Sequence, residues 1–215
     1  MKKYFRWCLI FSLVLTFVSI PTINTYAENN EKQNYMTFKA GIYYPESGDY
    51  EDFDTGFNGE ISIGHYFSPN VALEFGIGYF DLEWSDIGYE WPIGNWSDNG
   101  EITTIPLTAT LKGIIPFKRG ELYGGAGIGV YLVEGEVDVN SDLIDFKVDD
   151  DDVTFGPHVL IGLNIDISQN AFIGVEGKYT WAEKAEFEET ILGQKVEIVT
   201  ELDGFIGTFN IGFRF

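Results

Sequence analysis

Cysteine is nearly missing. The 215 residues hold one, Cys8, and only two histidines, His65 and His158. A single thiol cannot form a disulfide within the chain, and it leaves no thiolate set for a structural zinc site. Positive charge is scarce as well, with 13 Lys+Arg against 34 Asp+Glu and a formal net charge of −21. A surface that binds phosphates must be basic, so nucleic acid is excluded as a partner. Beyond residue 27 no apolar run approaches the ~20 residues of a membrane helix, and the mean hydropathy is −0.03. A polytopic helical membrane protein is therefore excluded. A membrane sheet whose strands are apolar on one face only is not. In place of these, the chain has 25 glycines, 16% aromatic residues and 45% hydrophobic residues, enough to build a folded structure.

The beginning of the chain has the three parts of a secretory signal. Lys2, Lys3 and Arg6 precede the apolar run Cys8–Ile20, Pro21 ends it, and Thr25-Tyr26-Ala27 offers small residues around a cleavage point. The apolar core is too short for a comfortable span. The expected organisation is a signal peptide over 1–27, a short lead over 28–34 and one barrel-forming domain over 35–215. Cleavage after about Ala27 removes three basic residues, no acid and the one cysteine.

After Ala27 the periodicity is two, not 3.6. Val71, Leu73, Phe75, Ile77 and Tyr79 alternate with Ala72, Glu74, Gly76 and Gly78. Ile105, Leu107, Ala109 and Leu111 alternate with Pro106, Thr108, Thr110 and Lys112. Equivalent patterns run through 36–43, 60–65, 121–132, 155–167, 171–181 and 205–215. These make eight strands, each long enough to cross a bilayer when tilted. Three connections are short, at 68–70, 116–120 and 168–170. They alternate with four long acidic ones near 45–55, 84–100, 135–152 and 183–202. Short turns at one end and long loops at the other are the hairpin pattern of outer-membrane barrels, whereas Greek-key crossovers would mix the lengths. The expected fold is all-β: an eight-stranded antiparallel transmembrane up-and-down barrel with short periplasmic turns and long acidic extracellular loops. Closure leaves no open strand edge in lipid. Within the last two long connections, Glu136–Val139 with Ile144–Val148 and Phe187–Ile191 with Val196–Val199 read as hairpins that continue outward.

The closing segment Phe205–Phe215 places Phe209, Ile211, Phe213 and the terminal Phe215 on one face. It resembles the final-strand signal of bacterial outer-membrane barrels. The strands Ile105–Pro116, Glu121–Leu132, Phe155–Ile167 and Ala171–Trp181 look like those of small eight-stranded outer-membrane proteins, types W and X and the generic outer-membrane β-barrel domain. This resemblance covers essentially residues 35–215. It implies a Gram-negative outer-membrane location and recognition of Phe209, Ile211, Phe213 and Phe215 by the barrel-assembly machinery. It is weak for function, because the family hosts passive barrels, pores, adhesins and a few lipid enzymes. A single Pro106 stands where the W type tends to have tandem prolines, which weakens the reading as a W-like pore.

The polar face carries full charges in mid-strand. Lys39, Glu60, Glu74, Lys112, Glu176, Lys178 and Arg214 are expected to form a paired network in the lumen, because unpaired charges away from water are costly. Gly76, Gly78, Gly125, Gly127 and Gly129 leave room there for bulk such as Tyr123, Tyr131 and Arg214. The Gly124–Gly129 run does not fit a phosphate loop and no helix follows it. His158 has lumen parity with no positioned nucleophile, and His65 falls near a periplasmic turn, so no catalytic residue is assigned and no enzyme is expected. Asp149, Asp150, Asp151 and Asp152 are weak metal candidates. They lack the spaced acids and central glycine of a calcium loop, so a solvated loop is the plainer reading. No cofactor is expected. Trp84 and Trp181 suit an interface girdle at strand ends. The expected role is structural or surface contact through the acidic hairpins, by a monomer. Lipid and lipopolysaccharide would be partners, the latter through divalent cations that bridge acid to phosphate. The alternative is a narrow W-like channel for small, including apolar, solutes.

Overall fold

The computed structural model describes residues 33–46, 55–90, 94–141, 145–182, 185–191, 194–200 and 203–215, with side chains described outside 83–99, 136–150 and 183–202. The expected signal peptide and its cleavage point lie outside these residues. The described chain is built of ten strands and contains no helix: β1 (Asn34–Pro45), β2 (Gly56–Ser68), β3 (Val71–Glu90), β4 (Gly94–Phe117), β5 (Gly120–Ser141), β6 (Asp145–Asp166), β7 (Ala171–Thr180), β8 (Ala185–Ile191), β9 (Gln194–Thr200) and β10 (Gly204–Arg214). Eight of them close an antiparallel barrel in the order β1-β10-β7-β6-β5-β4-β3-β2, and β8 and β9 pair as a separate hairpin. Asn34 and Phe215 bond each other's backbones at 3.1 and 2.8 Å, closing the seam between the first and last barrel strands.

Alternation gives the wall two faces. Phe38, Ile61, Ile77, Leu111, Ile128, Ile161, Val175 and Phe209 point outward and are exposed. Their chain neighbours Lys39, Glu60, Lys112, Glu176 and Asn210 are buried inside. A water-soluble protein would bury the first set and expose the second; the inversion fits a wall solvated by lipid. Inward aromatic rings lie over inward glycines of the neighbouring strand. A Cβ on Gly64 would sit 2.1 Å from the Tyr35 ring, one on Gly162 would sit 2.3 Å from Tyr123, and one on Gly212 would sit 2.0 Å from Phe172. Each of these pairs is directly opposite across its ladder, so the glycines make the space that the rings fill. Arg214, expected among the residues filling lumen glycine space, instead stacks over the Phe172 ring at 4.6 Å.

The connections differ from expectation in two places. Residues 84–90 and 94–100 are not a loop: β3 and β4 continue paired from Asp81↔Thr103 to Glu90↔Gly94. Asp149–Asp152 are likewise not a loop but lie inside β6, opposite Glu136, Gly135, Glu134 and Val133 of β5. Ladder hydrogen bonds outweigh the low strand propensity of Asp, Asn and Gly there. The expected pairing of Glu136–Val139 with Ile144–Val148 is present in the β5–β6 ladder, apart from Ile144, which lies outside the described residues, and that of Phe187–Ile191 with Val196–Val199 is present in the separate β8–β9 pair. β3, β4, β5 and β6 run 20, 24, 22 and 22 residues, against 12, 13, 10 and 11 for β1, β2, β7 and β10. About ten extra residues per strand carry this half of the wall roughly 30 Å farther along the strands.

Pro106 marks the one break in the β3–β4 ladder among its described pairs. Pairing runs unbroken through Pro106 to Tyr131 of β5, but on the β3 side it skips from Ile77↔Leu107 to Phe80↔Thr104. Proline has no N–H to offer that neighbour.

Candidate functional site: the barrel lumen

The lumen is filled in layers. At its centre, register sets Lys39 of β1 directly opposite Glu60 of β2. The Lys39 Nζ lies 2.7 Å from Glu60, 2.9 Å from Glu74 of β3 and 2.9 Å from Glu176 of β7. Lys112 of β4 reaches Glu74 at 2.6 Å and Glu176 at 3.4 Å. Lys178 of β7 closes on Glu60 at 2.5 Å. Three ammoniums thus meet three carboxylates, all six residues 6% exposed or less. The Tyr123 hydroxyl donates to Glu176 at 3.0 Å, and the Lys112 ammonium sits 4.5 Å above its ring. Charges so far from bulk water are tolerable only when geometry and extra hydrogen bonds offset their desolvation, and each carboxylate here touches at least two donors.

Arg214, expected in the same network, lies apart from it. It pairs with Asp166 at 2.5 Å and with Glu121 at 3.4 Å toward the short-turn end. The Tyr66 hydroxyl donates to Glu121 at 3.0 Å, and Asn164 Nδ2 donates to it at 2.8 Å. Glu121 was missed in the sequence, although it has the inward parity of Tyr123; its place beside the turn at Lys118-Arg119 hid it. Between the two clusters is a cavity of about 10 Å³, lined by Tyr35, Tyr66, Glu74, Lys112, Glu121 and Tyr123 among others, about one water's worth of space.

Apolar layers bound the charges. On the long-strand side Tyr43, Phe80, Leu82, Ile102, Tyr131, Val133 and Ile206 form one cluster, with Ala182 against it. Tyr43 stacks on Phe80 at 4.4 Å. The chain leaving β7 crosses Gly156 so closely that a Cβ there would sit 1.9 Å from the Trp181 carbonyl oxygen. On the short-turn side Tyr35, Ala72, Ile114, Tyr123, Leu160 and Phe172 form the second cluster.

The remaining candidates are distributed as follows. His158 is 1% exposed, with Nε2 2.7 Å from the Thr110 hydroxyl oxygen. His65 bonds Asn34 at 2.8 Å near the β2–β3 turn. Trp181 is 43% exposed and meets Tyr179 edge-on at 4.6 Å, just past the end of β7. Trp84 is not at a strand end: it lies within β3 opposite Gly100, and its side chain is outside the described set. Phe209, Ile211, Phe213 and Phe215 all point outward and are 76, 53, 48 and 57% exposed. The four consecutive aspartates occupy a strand, and in a strand successive side chains alternate between faces. Of the two with described side chains, Asp151 is exposed and Asp152 half-buried. Among the described residues no group of three or more metal-ligating side chains is placed to hold an ion. Register instead aligns Asp81, Thr103, Glu134 and Asp151 across β3 to β6, one step beyond the apolar row Ile105, Leu132 and Val153.

Comparison with known proteins agrees with this geometry. The family model for the outer membrane protein beta-barrel domain matches residues 10–214. The outer membrane protein OprG of Pseudomonas aeruginosa superposes with a TM-score of 0.61 at 12% identity, covering 86% of this chain and 97% of that one. The outer membrane protease OmpT of Escherichia coli gives 0.50 at 10% identity, with 86% and 94% covered. Neisserial surface protein A gives 0.45 at 14% identity, with 85% and 97% covered. The likeness to OprG and OmpT shows the fold. No curated protein matches the chain.

Proposed function

The chain belongs to the outer membrane protein beta-barrel domain family, and on that premise we propose that this bacterial outer-membrane protein is a sealed barrel with a structural and surface-contact role. The ion-pair layer carries this reading. Lys39 joins carboxylates from β2, β3 and β7 across the barrel axis, and Lys112 and Lys178 tie in the same carboxylates from β4 and β7. An eight-stranded interior is about wide enough for side chains to fill, and these side chains fill it. Closure of all eight strands leaves no edge to pair in lipid, which supports a monomer. The outward row of Asp81, Glu134 and Asp151 follows the apolar row of Ile105, Leu132 and Val153 by one step, and we assign to it the level of the outer leaflet's headgroups. Contact with phosphate-rich lipopolysaccharide there calls for bridging divalent cations. The outward face of β10 suits recognition by the barrel-assembly machinery before the seam closes, and export requires a signal peptide cleaved near Ala27.

A catalytic role has less support. The Thr110–His158 pair is buried in the lumen, where no substrate reaches it, and catalysis needs an accessible, oriented nucleophile. The channel reading draws on one observation, the apolar layer around Phe80, Leu82 and Ile102, which would line the entry of an apolar solute.

Single-channel recording in planar bilayers separates the two. The sealed barrel gives no resolvable steps, and Lys39→Met with Glu176→Gln opens at most brief ones. Regular steps in the unaltered protein would overturn the seal and favour the channel.

A further inference from the structure

The short turns carry charge in one place. The β2–β3 and β6–β7 turns hold Pro69-Asn70 and Ile167-Ser168-Gln169-Asn170, with no charged side chain. The β4–β5 turn holds Lys118 and Arg119, both exposed, between the paired Phe117 and Gly120. This turn is fixed in place, because the Arg119 carbonyl accepts the Asp166 N–H at 2.9 Å. The acids nearby, Asp166 and Glu121, are engaged by Arg214.

Above the turn, the lipid-facing wall has a shallow apolar groove. Gly113 of β4 and Gly124 of β5 are opposite each other and exposed, four residues up each strand from Phe117 and Gly120, roughly 13 Å along the strand. Outside its chain neighbours, a Cβ on Gly113 would meet nothing nearer than the Gly124 carbonyl oxygen at 3.8 Å. One on Gly124 would meet nothing nearer than the Leu160 carbonyl oxygen at 3.7 Å. Val71 and Ile161 flank the pair on the neighbouring strands, with Leu111 above and Ile115 and Leu122 below. All five are exposed and form the rim. Outward glycines elsewhere on the wall are covered: the Phe205 ring would lie 3.1 Å from a Cβ on Gly177, and the Phe57 ring 3.3 Å from one on Gly59.

We propose that this face docks an anionic phospholipid of the periplasmic leaflet, with its phosphate against Lys118 and Arg119 and an acyl chain laid over Gly113 and Gly124. Charge complementarity selects the headgroup, since each Lys or Arg at a membrane surface adds to the attraction for acidic lipid. The groove selects a lipid over a free anion, because a methylene chain gains dispersion contacts with the backbone floor and the branched rim. The spacing fits as well. Strands tilted as in a small barrel turn the separation along the strand into about 10 Å of depth, past the headgroup region and into the first part of the hydrocarbon. The docking requires the short turns to face the periplasm and is indifferent to whether the lumen conducts.

The mature chain is folded in phosphocholine micelles with isotope-labelled amides. Shifts are followed as dioctanoyl phosphatidylglycerol, dioctanoyl phosphatidylcholine, inorganic phosphate or lipid A is added. Saturable shifts at Lys118, Arg119, Gly113 and Gly124 with phosphatidylglycerol alone are expected. Lys118→Gln with Arg119→Gln should weaken that binding about fivefold for each charge removed. Gly124→Val fills the groove without a clash and leaves the turn intact, and it should weaken binding too; the heat-modifiable band on a gel checks that both variants fold. An equal response to phosphatidylcholine, or an unchanged affinity in either folded variant, overturns the proposal. Equal shifts at the turn with inorganic phosphate, with Gly113 and Gly124 unmoved, mean a free-anion site and overturn the lipid. Tighter binding of lipid A at the same residues would place this turn in the outer leaflet and overturn the periplasmic orientation together with the docking.

Discussion

Lys39→Met tests the ion-pair layer most directly. Its Nζ holds three carboxylates at 2.7, 2.9 and 2.9 Å, so the change leaves three Glu facing two Lys. Glu60 keeps Lys178 at 2.5 Å and Glu74 keeps Lys112 at 2.6 Å. Glu176 is left with Lys112 at 3.4 Å and the Tyr123 hydroxyl at 3.0 Å. The net result is about one uncompensated buried carboxylate, and removing one partner of a buried pair costs about 3–5 kcal/mol. With a urea dependence of about 2 kcal/mol per M, the unfolding midpoint in micelles should fall by roughly 2 M. Adding Glu176→Gln restores neutrality and keeps the shape, so the double variant should recover at least half of that loss. A loss under about 1 kcal/mol, the range of an exposed pair, would refute the claim that the layer is dry and tightly coupled. So would a double variant no more stable than Lys39→Met.

Two further outcomes follow from the wall and its outer face. Gly162→Val would drive a Cβ to within 2.3 Å of the Tyr123 ring, which Glu176 and Lys112 hold in place. The overpacking should cost 1–3 kcal/mol or more. It reads out as loss of the heat-modifiable folded band on a gel, partly rescued by Tyr123→Leu; a normal folded band would show that the ring moves aside freely. Glu134→Gln with Asp151→Asn removes like charges set directly opposite across the β5–β6 ladder, where such pairs destabilise. In lipopolysaccharide-containing vesicles the unaltered protein should lose thermal stability on chelation of magnesium and calcium, and the double variant should lose less. An equal loss in both would remove this row from the contact with lipopolysaccharide.

The barrel was readable because a lipid-facing wall imposes period two on the chain and leaves it nowhere else to put Ile61, Ile63 or Phe209. The long extension was not readable by the same rule. Residues 94–100 hold Gly94, Asn95, Ser97, Asp98, Asn99 and Gly100, a composition that spells loop, yet they pair with β3, and β5 offers β4 a continuing partner as far as Trp96↔Ser141. Asp149–Asp152 show the same override, since one strand's propensity matters less than the neighbour it is zipped to. Trp84 follows from this: once β3 runs on to Glu90, a tryptophan that looks terminal becomes internal to the strand.

Arg214 shows the deeper limit. Alternation tells which face a side chain takes but not how far along the axis it sits. Depth comes from register, and register comes from the stagger of a closed barrel. Across the seam Lys39 is opposite Asn210, while Arg214 is opposite Tyr35. Four residues of β10 separate them, roughly 13 Å along the strand, beyond any ion pair. The same stagger brings Glu176 of β7 to Lys39 of β1 although β10 lies between their strands. The sequence therefore contains the list of inward charges, and the shear of the barrel sorts that list into a neutral layer of six and a separate cluster of Arg214, Asp166 and Glu121. Any test of function in the lumen has to respect that sorting. Arg214→Gln should loosen the short-turn end and leave the Lys39 layer closed. If Arg214→Gln alone made the barrel conduct, the two clusters would be one gate, and the layered account of the lumen would be wrong.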